Sequence, residues 1–361
     1  MRVSMICPYS LSTPGGVQVQ ALGLARALRE LGHDARVIAP CDGPPPEPGV
    51  VTVGSSAGFR SNGSISPVAA GREVTRRTLE AIHAFRPDVL HLQEPMVPGC
   101  TVAALLGTDV PSVGTFHASN TQGIRWYRYF RPAVKGASKQ LSVRTAVSEE
   151  ARVSAEQVIG GHFWVLPNGI EVEHYAKADP WPTDGAPVIL YVGRHEPRKG
   201  LGVLLDAFAE LDRDASLWIA GEGPDTSELR AREIANVEWL GTIPEPEKAA
   251  RLRAATLFCA PSLRQESFGI VLLEAMAAGS AVVASDIAGY RNVARAGEDA
   301  LLVPPGDVDA LRDGLRALLD DPGRRAGLVA AGEQRAAQFS MLSVAERYLP
   351  VYDAAIARGR P

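Results

Sequence analysis

The residues best placed to do chemistry are a basic loop and a pair of carboxylates in the second half of the chain. Gly193-Arg194-His195-Glu196-Pro197-Arg198-Lys199-Gly200 follows an apolar β-branched run and precedes a helical pattern. Arg194, by its planar fork, and Lys199, as a point charge, can converge on a diphosphate; the competing reading is a solvated basic loop. Glu266-Ser267-Phe268-Gly269-Ile270-Val271-Leu272-Leu273-Glu274 enters a strongly apolar helix. The helix dipole accounts for a Glu near its mouth but not for Glu274 two turns inside, where a carboxylate needs partners such as ribose hydroxyls. Near the amino terminus, Pro14-Gly15-Gly16-Val17 sits between a strand and a helix, so its backbone either approaches an anion at the positive helix end or forms a plain tight turn. It lacks the third glycine of a dinucleotide fingerprint. His117 closes a strand, where a ring nitrogen could meet a substrate hydroxyl. For His91 and Glu94, at another strand end, the structural reading is preferred.

Those side chains have to be positioned by elements that alternate along the whole chain. Strands are predicted at Met1–Cys7, Ala35–Ala39, Val50–Val53, Asp88–Gln93, Pro111–His117, Val143–Val147 and Phe163–Leu166. Val17, Ala21, Leu24, Leu28 and Leu31 lie at helical spacing between the first two, and Gly32 ends that helix. After a linker rich in Pro and Gly (176–187) the alternation restarts. Its strands are Val188–Gly193, Ser216–Ala220, Val237–Leu240, Thr256–Ala260, Ala281–Ala284 and Leu301–Val303; helices fall near 201–211, 226–235, 246–255, 268–278 and 307–320. Helices near 322–339 and 341–358 follow. The class is α/β, two doubly wound Rossmann-like domains in series, 1–170 and 171–340, the first completed by the last helix, 341–361. Ligands of open parallel sheets sit beyond the carboxyl ends of the strands, so the expected site is a cleft between domains.

The chain has 361 residues with 37 Lys+Arg against 41 Asp+Glu and is 46% apolar. That is soluble globular composition with room for two cores, which excludes a small peptide module and a disordered scaffold. Residues 1–170 hold 16 basic and 12 acidic side chains, the remainder 21 and 29. A first half so mildly basic falls short of the stripe that nucleic acid calls for. No apolar run approaches the ~18 residues of a membrane span, and the apolar start Val3–Cys7 is too short for a signal core. The expected location is cytoplasmic. Cys7, Cys41, Cys100 and Cys259 have neither zinc nor disulfide spacing. Of two D-x-D sequences, Asp212-Arg213-Asp214 ends a helix and Asp307 reads as an N-cap, so no metal is expected. Six cations and no acid lie between Asn120 and Arg144, among them Arg125, Arg128 and Arg131, interleaved with Trp126, Tyr127, Tyr129 and Phe130. This suits an anionic membrane surface or a charged helix with buried aromatics. Arg72, Arg76 and Arg77, on the polar side of another helix, form a weaker patch.

Taken in order, Pro14-Gly15-Gly16-Val17, Gly114-Thr115-Phe116-His117, Ala146-Val147-Ser148-Glu149, Pro167-Asn168-Gly169-Ile170, the 193–200 loop, Gly221-Glu222-Gly223 and the Glu266–Glu274 stretch resemble the retaining GT-B glycosyltransferases of family 4 over nearly the whole length. The resemblance implies that Arg194 and Lys199 bind the diphosphate of a nucleotide sugar, helped by the Gly15-Gly16 backbone and without an obligatory metal. It places Glu266 and the backbone of Ser267, Phe268, Gly269 and Ile270 on the donor sugar, Glu274 on the ribose and His117 on the sugar. It also implies front-face transfer with retention, without a dedicated carboxylate nucleophile. The start Cys7-Pro8-Tyr9-Ser10 with Gln18 and Asn62-Gly63-Ser64 looks most like the branch that mannosylates phosphatidylinositol, with Tyr9, Gln18, Asn62 and Ser64 on the acceptor side. The chain departs from that branch at Ser12, Pro67 and Gln122, which concerns the acceptor more than the reaction. The implied function is transfer of mannose from GDP-mannose to phosphatidylinositol on the cytoplasmic membrane face. The alternatives are another nucleotide sugar, such as UDP-glucose or UDP-N-acetylglucosamine, with a soluble or polysaccharide acceptor, and a non-catalytic sugar-binding protein.

Overall fold

A computed structural model describes residues 1–13, 15–61, 64–118 and 130–361. The chain divides into two compact units, Met1–Gly169 with Met341–Pro361, and Ile170–Ser340.

In the first unit the elements run β1 Arg2–Ile6, α1 Gly16–Glu30, β2 Asp34–Ala39, β3 Val50–Thr52, β4 Ala57–Ser61, β5 Ser64–Val68, α2 Arg72–Phe85, β6 Val89–Gln93, α3 Cys100–Gly107, β7 Ser112–Phe116, α4 Arg131–Ser138, β8 Val143–Ala146, α5 Glu149–Ile159 and β9 Trp164–Val165. Seven of the strands form one parallel sheet in the order β3-β2-β1-β6-β7-β8-β9. The apolar runs of β6 and β7 are buried throughout because helices cover both faces. Pairing departs in opposite directions from β1, to β2 on one side and β6 on the other, so the switch point of this sheet lies between β1 and β6. The last helix of the chain, Met341–Arg358, packs on α1 through Val344, Tyr348, Val351 and Tyr352. Tyr352 also donates or accepts a hydrogen bond at His91 Nδ1, 2.8 Å away.

The periodicity of β4 and β5 is too weak to read as strands, yet they form an antiparallel hairpin with Ser61 opposite Ser64. Its sequence signal is Asn62-Gly63, the dipeptide suited to a two-residue turn. Helices α3 and α5 are likewise additions to the sequence reading, whereas α4 falls within the basic stretch read as helical.

The second unit contains α6 Val172–Ala176, β10 Val188–Val192, α7 Leu201–Ala209, β11 Ser216–Ala220, α8 Thr226–Arg230, β12 Val237–Gly241, α9 Glu245–Ala254, β13 Leu257–Ala260, α10 Ile270–Ala277, β14 Ala281–Ser285, α11 Ala288–Arg291, β15 Leu301–Val303, α12 Val308–Asp320 and α13 Pro322–Ala337. Its six strands are parallel in the order β12-β11-β10-β13-β14-β15. Asp307 caps α12 by accepting from the Ala310 N–H at 2.9 Å, as its position after Pro-Pro-Gly predicts. In the linker, Trp181 stacks on the buried Arg251 guanidinium, which lies 4.3 Å from its ring and 4.6 Å from Trp218 on β11. These contacts hold the linker to the unit that follows it.

Candidate functional site

The second unit gathers a compact set of charges at the carboxyl ends of β10 and β13. The basic loop leaves β10 at Gly193, turns through a short 3-10 segment at Pro197–Lys199 and enters α7 at Gly200. Gly200 is left-handed (φ +70°), and a Cβ there would stand 1.9 Å from the Pro261 carbonyl oxygen. The close approach brings the loop against the segment after β13, where the Leu263 N–H donates to the Arg198 carbonyl at 2.8 Å. Lys199 Nζ lies 2.7 Å from Glu266 Oε1 and Arg198 Nη1 3.2 Å from the same oxygen. Ser262 Oγ donates to it at 3.2 Å. Glu196 bridges the two guanidinium groups of the loop, 2.9 Å from Arg194 and 2.9 Å from Arg198. Three cations thus face two carboxylates, with Arg194 the most exposed of the five. A cluster with one surplus positive charge and an exposed outer arginine can receive a dianionic group without stranding a buried charge.

The Glu266 backbone is fixed as tightly as its side chain. Gly289, on α11, passes so close that a Cβ would be 2.0 Å from the Glu266 carbonyl oxygen. Beyond it, Phe268 is buried edge-on against Phe339, and Ile270 packs on the core, which leaves main chain rather than these side chains to meet a ligand. Gly269 adopts φ +91° at the start of α10.

Glu274 departs from the sequence argument in one respect. Its buried carboxylate does not depend on a ligand for a partner, because Lys248 on α9 reaches it at 2.9 Å. Lys248 also lies 3.0 Å from Glu245, whose other oxygen accepts from the Tyr175 hydroxyl at 2.6 Å. Burial pulls the Lys248 pKa down, but the two carboxylates together hold it above its ordinary value. Arg198, Glu196 and Lys248 carry no assigned role in the sequence reading. The first two lie inside the basic loop, and the last is joined to Glu274 only by the fold.

In the first unit the relevant side chains follow β1, β6 and β7. Gly15 caps α1 in an extended conformation, and Gly16 opens the helix. Gln18 Nε2 donates to the Thr13 and Ser10 carbonyls at 3.0 and 3.3 Å, so its amide holds the glycine turn from inside. The loop is further tied by Asp42, which accepts from the hydroxyls of Ser10 and Ser56 at 2.7 Å each. Tyr9 is half-buried and bridges to Val68 at the base of the hairpin. Burial, with the Glu94 carboxyl nearby, pushes the Tyr9 phenol above its usual range. Ser64 stands on β5; Asn62, Arg125 and Arg128 lie outside the described residues.

His117 directly follows β7, and its Nε2 lies 2.6 Å from Gln93 Oε1. Because that oxygen only accepts, the pair places the proton on Nε2 and leaves Nδ1 as an acceptor. Burial pushes its pKa down to about 4, so the ring is neutral near pH 7. His91 is structural: fully buried, it joins Tyr352, Thr115 and Gln93 in one network. Glu94 is buried too, with Oε1 accepting from the backbone N–H groups of His117 and Ala118 at 2.8 and 2.9 Å.

The two basic patches differ. Arg76 pairs with Glu73 and Glu80, and Arg77 with Glu73, so this face of α2 carries little free charge beyond Arg72. On α4, Arg131, Lys135 and neighbouring Lys139 are exposed beside an exposed Phe130 and without an acid on the helix. No helix among the described residues is long and apolar enough to cross a membrane.

Family models match both halves: Glycosyltransferase Family 4 over residues 14–174 and Glycosyl transferases group 1 over 176–335. The chain is 38% identical to the phosphatidyl-myo-inositol mannosyltransferase of Mycolicibacterium smegmatis, across 99% of this chain and 95% of that protein. It is 33% identical to the Propionibacterium freudenreichii protein of the same name, across 81% and 79%. Among solved structures, sucrose-phosphate synthase of Thermosynechococcus elongatus superposes with a TM-score of 0.76 at 20% identity, covering 99% of each chain. Anabaena HepE in complex with UDP and glucose gives 0.74 at 18% identity, covering 98% of this chain and 100% of that one. The fold is therefore GT-B.

Proposed function

The chain belongs to the phosphatidyl-myo-inositol mannosyltransferase family of glycosyltransferases, and on that footing we propose that it transfers mannose from GDP-mannose to phosphatidylinositol with retention of anomeric configuration. The 38% identity carried across 99% of the chain is the observation that supports this reading most.

Lys199 and Arg194 take the diphosphate of the donor, with Arg198 completing the cationic side of the site. When the anion arrives, Lys199 exchanges part of its pairing with Glu266 for phosphate oxygens, and Glu266 is released to accept hydrogen bonds from hydroxyls of the sugar. Glu274, oriented by Lys248, holds the ribose. His117, neutral and with Nδ1 open as an acceptor, takes a hydroxyl of the sugar. The acceptor hydroxyl attacks C1 as the C1–O(phosphate) bond breaks; the departing phosphate receives both the electron pair and the hydroxyl proton. Stabilisation of charge on the leaving diphosphate by fixed cations is then the main source of rate. No metal is required in this scheme. Tyr9, Gln18, Asn62 and Ser64 belong to the acceptor side. Binding is to the inner membrane face, through α4 and the basic residues that precede it, Arg125 and Arg128, rather than through the paired arginines of α2.

A competition assay tests donor and acceptor together. With phosphatidylinositol vesicles and an equimolar mixture of GDP-mannose, UDP-glucose and UDP-N-acetylglucosamine, the lipid gains one hexose and GDP is the nucleotide released. Release of UDP, or of any nucleotide without a glycosylated lipid, would refute the assignment.

A further inference from the structure

Glu94 occupies a place that a purely structural residue does not need. It directly follows β6, on the far side of the β1/β6 switch point from Tyr9, and so lies at the crevice where open parallel sheets receive ligands. Its backbone is left-handed, φ +47°, in a residue with a full side chain, a strained conformation of the kind that collects at functional sites. The residue is 4% exposed. Oε1 is saturated by the N–H groups of His117 and Ala118, whereas Oε2 has no hydrogen-bond partner among the described residues. The carboxylate thus has both of its donors on one oxygen, and the other oxygen is not sealed in the core but open to a ligand, in the company of Tyr9 and His117.

We propose that Glu94 is an acceptor-binding residue: Oε1 anchors the chain at His117 while Oε2 accepts a hydrogen bond from a hydroxyl of the polyol headgroup. This rests on the preceding assignment of a polyol lipid as acceptor and adds a group to it. Burial raises the Glu94 pKa to about 7, against the lowering effect of the two N–H groups, so a ligand hydroxyl that donates to the ionised form relieves a cost already present in the fold.

Glu94→Gln separates the two roles of the carboxylate. The carboxamide oxygen still accepts from His117 and Ala118, but an NH2 group replaces the free acceptor oxygen and the charge is gone. With phosphatidylinositol vesicles and GDP-mannose, the variant should raise the acceptor KM at least tenfold while the donor KM and the melting temperature stay within error. Glu94→Asp, which keeps the charge but withdraws it by one methylene, should show the same split and stands in if the first variant does not fold. An acceptor KM within threefold of wild type would overturn the proposal, as would equal losses for donor and acceptor accompanied by a lower melting temperature. Wild-type protein that leaves phosphatidylinositol unmodified refutes the functional reading instead; the same KM comparison on the acceptor that does support turnover then decides the role of Glu94.

Discussion

Removing Lys199 should cost much in catalysis and little in stability. In Lys199→Ala the Glu266 carboxylate keeps Arg198 and Ser262, each at 3.2 Å from Oε1, so no buried charge is left alone. The pair lost is a 2.7 Å contact between side chains 19% and 13% exposed, with two replacements at hand. The expected cost is about 1 kcal/mol, or roughly 2–4 °C in melting temperature for a domain of this size. The catalytic loss is larger. A charge-assisted hydrogen bond to the donor diphosphate contributes about 1.5–3 kcal/mol in the ground state, and the interaction strengthens as charge develops on the leaving group. A total near 4 kcal/mol corresponds to a fall of about 10³ in kcat/KM. The assay is transfer of labelled mannose to vesicle phosphatidylinositol at several donor concentrations, beside a thermal melt. A variant within fivefold of wild type would refute the role of Lys199. So would a melting temperature more than 10 °C lower, which would make the residue structural.

Three further perturbations follow from the geometry. Gly200→Ala combines a left-handed φ of +70° with a Cβ 1.9 Å from a carbonyl oxygen, so it should lower the melting temperature by about 6–12 °C and abolish donor binding; an unchanged melt would contradict the close approach. His117, pushed down from its ordinary 6.5 to about 4, binds fewer protons folded than unfolded across that window, so it destabilises the fold as pH falls from 6.5 to 4. Melts of wild type and His117→Gln from pH 7 to 4 should therefore show the wild type losing ground to the variant, and parallel curves would refute the buried neutral ring. Lys135→Glu with Lys139→Glu should weaken sedimentation with anionic vesicles by at least tenfold, at about 1 kcal/mol for each charge lost and more on reversal. Arg76→Glu with Arg77→Glu should change it far less, because those guanidiniums are already paired on α2. The reverse order would move the membrane contact to α2.

The fold class was legible because parallel strands buried on both faces write themselves as short apolar β-branched runs, and the amphipathic spacing of α1 and α12 marks the helices between them. The hairpin of β4 and β5 was not, since it lacks that apolar continuity and is announced only by Asn62-Gly63. At the site, the loop from Gly193 to Gly200 and the Glu266–Glu274 stretch were visible as motifs, but not how their charges pair. Sequence cannot show that Glu196 divides itself between two arginines, or that Lys248, 26 residues from Glu274, satisfies it. The pairing on α2 was readable, because Glu73, Arg76, Arg77 and Glu80 stand three and four residues apart, and it weakens the patch assigned there. Glu94 was hidden by its context: an acid after a buried strand reads as structural until its backbone angle and its free oxygen are seen together.

The most direct test of the account is the anomeric configuration of the product made from GDP-mannose and phosphatidylinositol in the presence of EDTA. Nuclear magnetic resonance of the purified lipid should show a single mannose on the inositol ring, α-linked as in the donor. A β-linked mannose would contradict retention at this site, and an unmodified lipid with the nucleotide sugar intact would contradict mannosyl transfer itself.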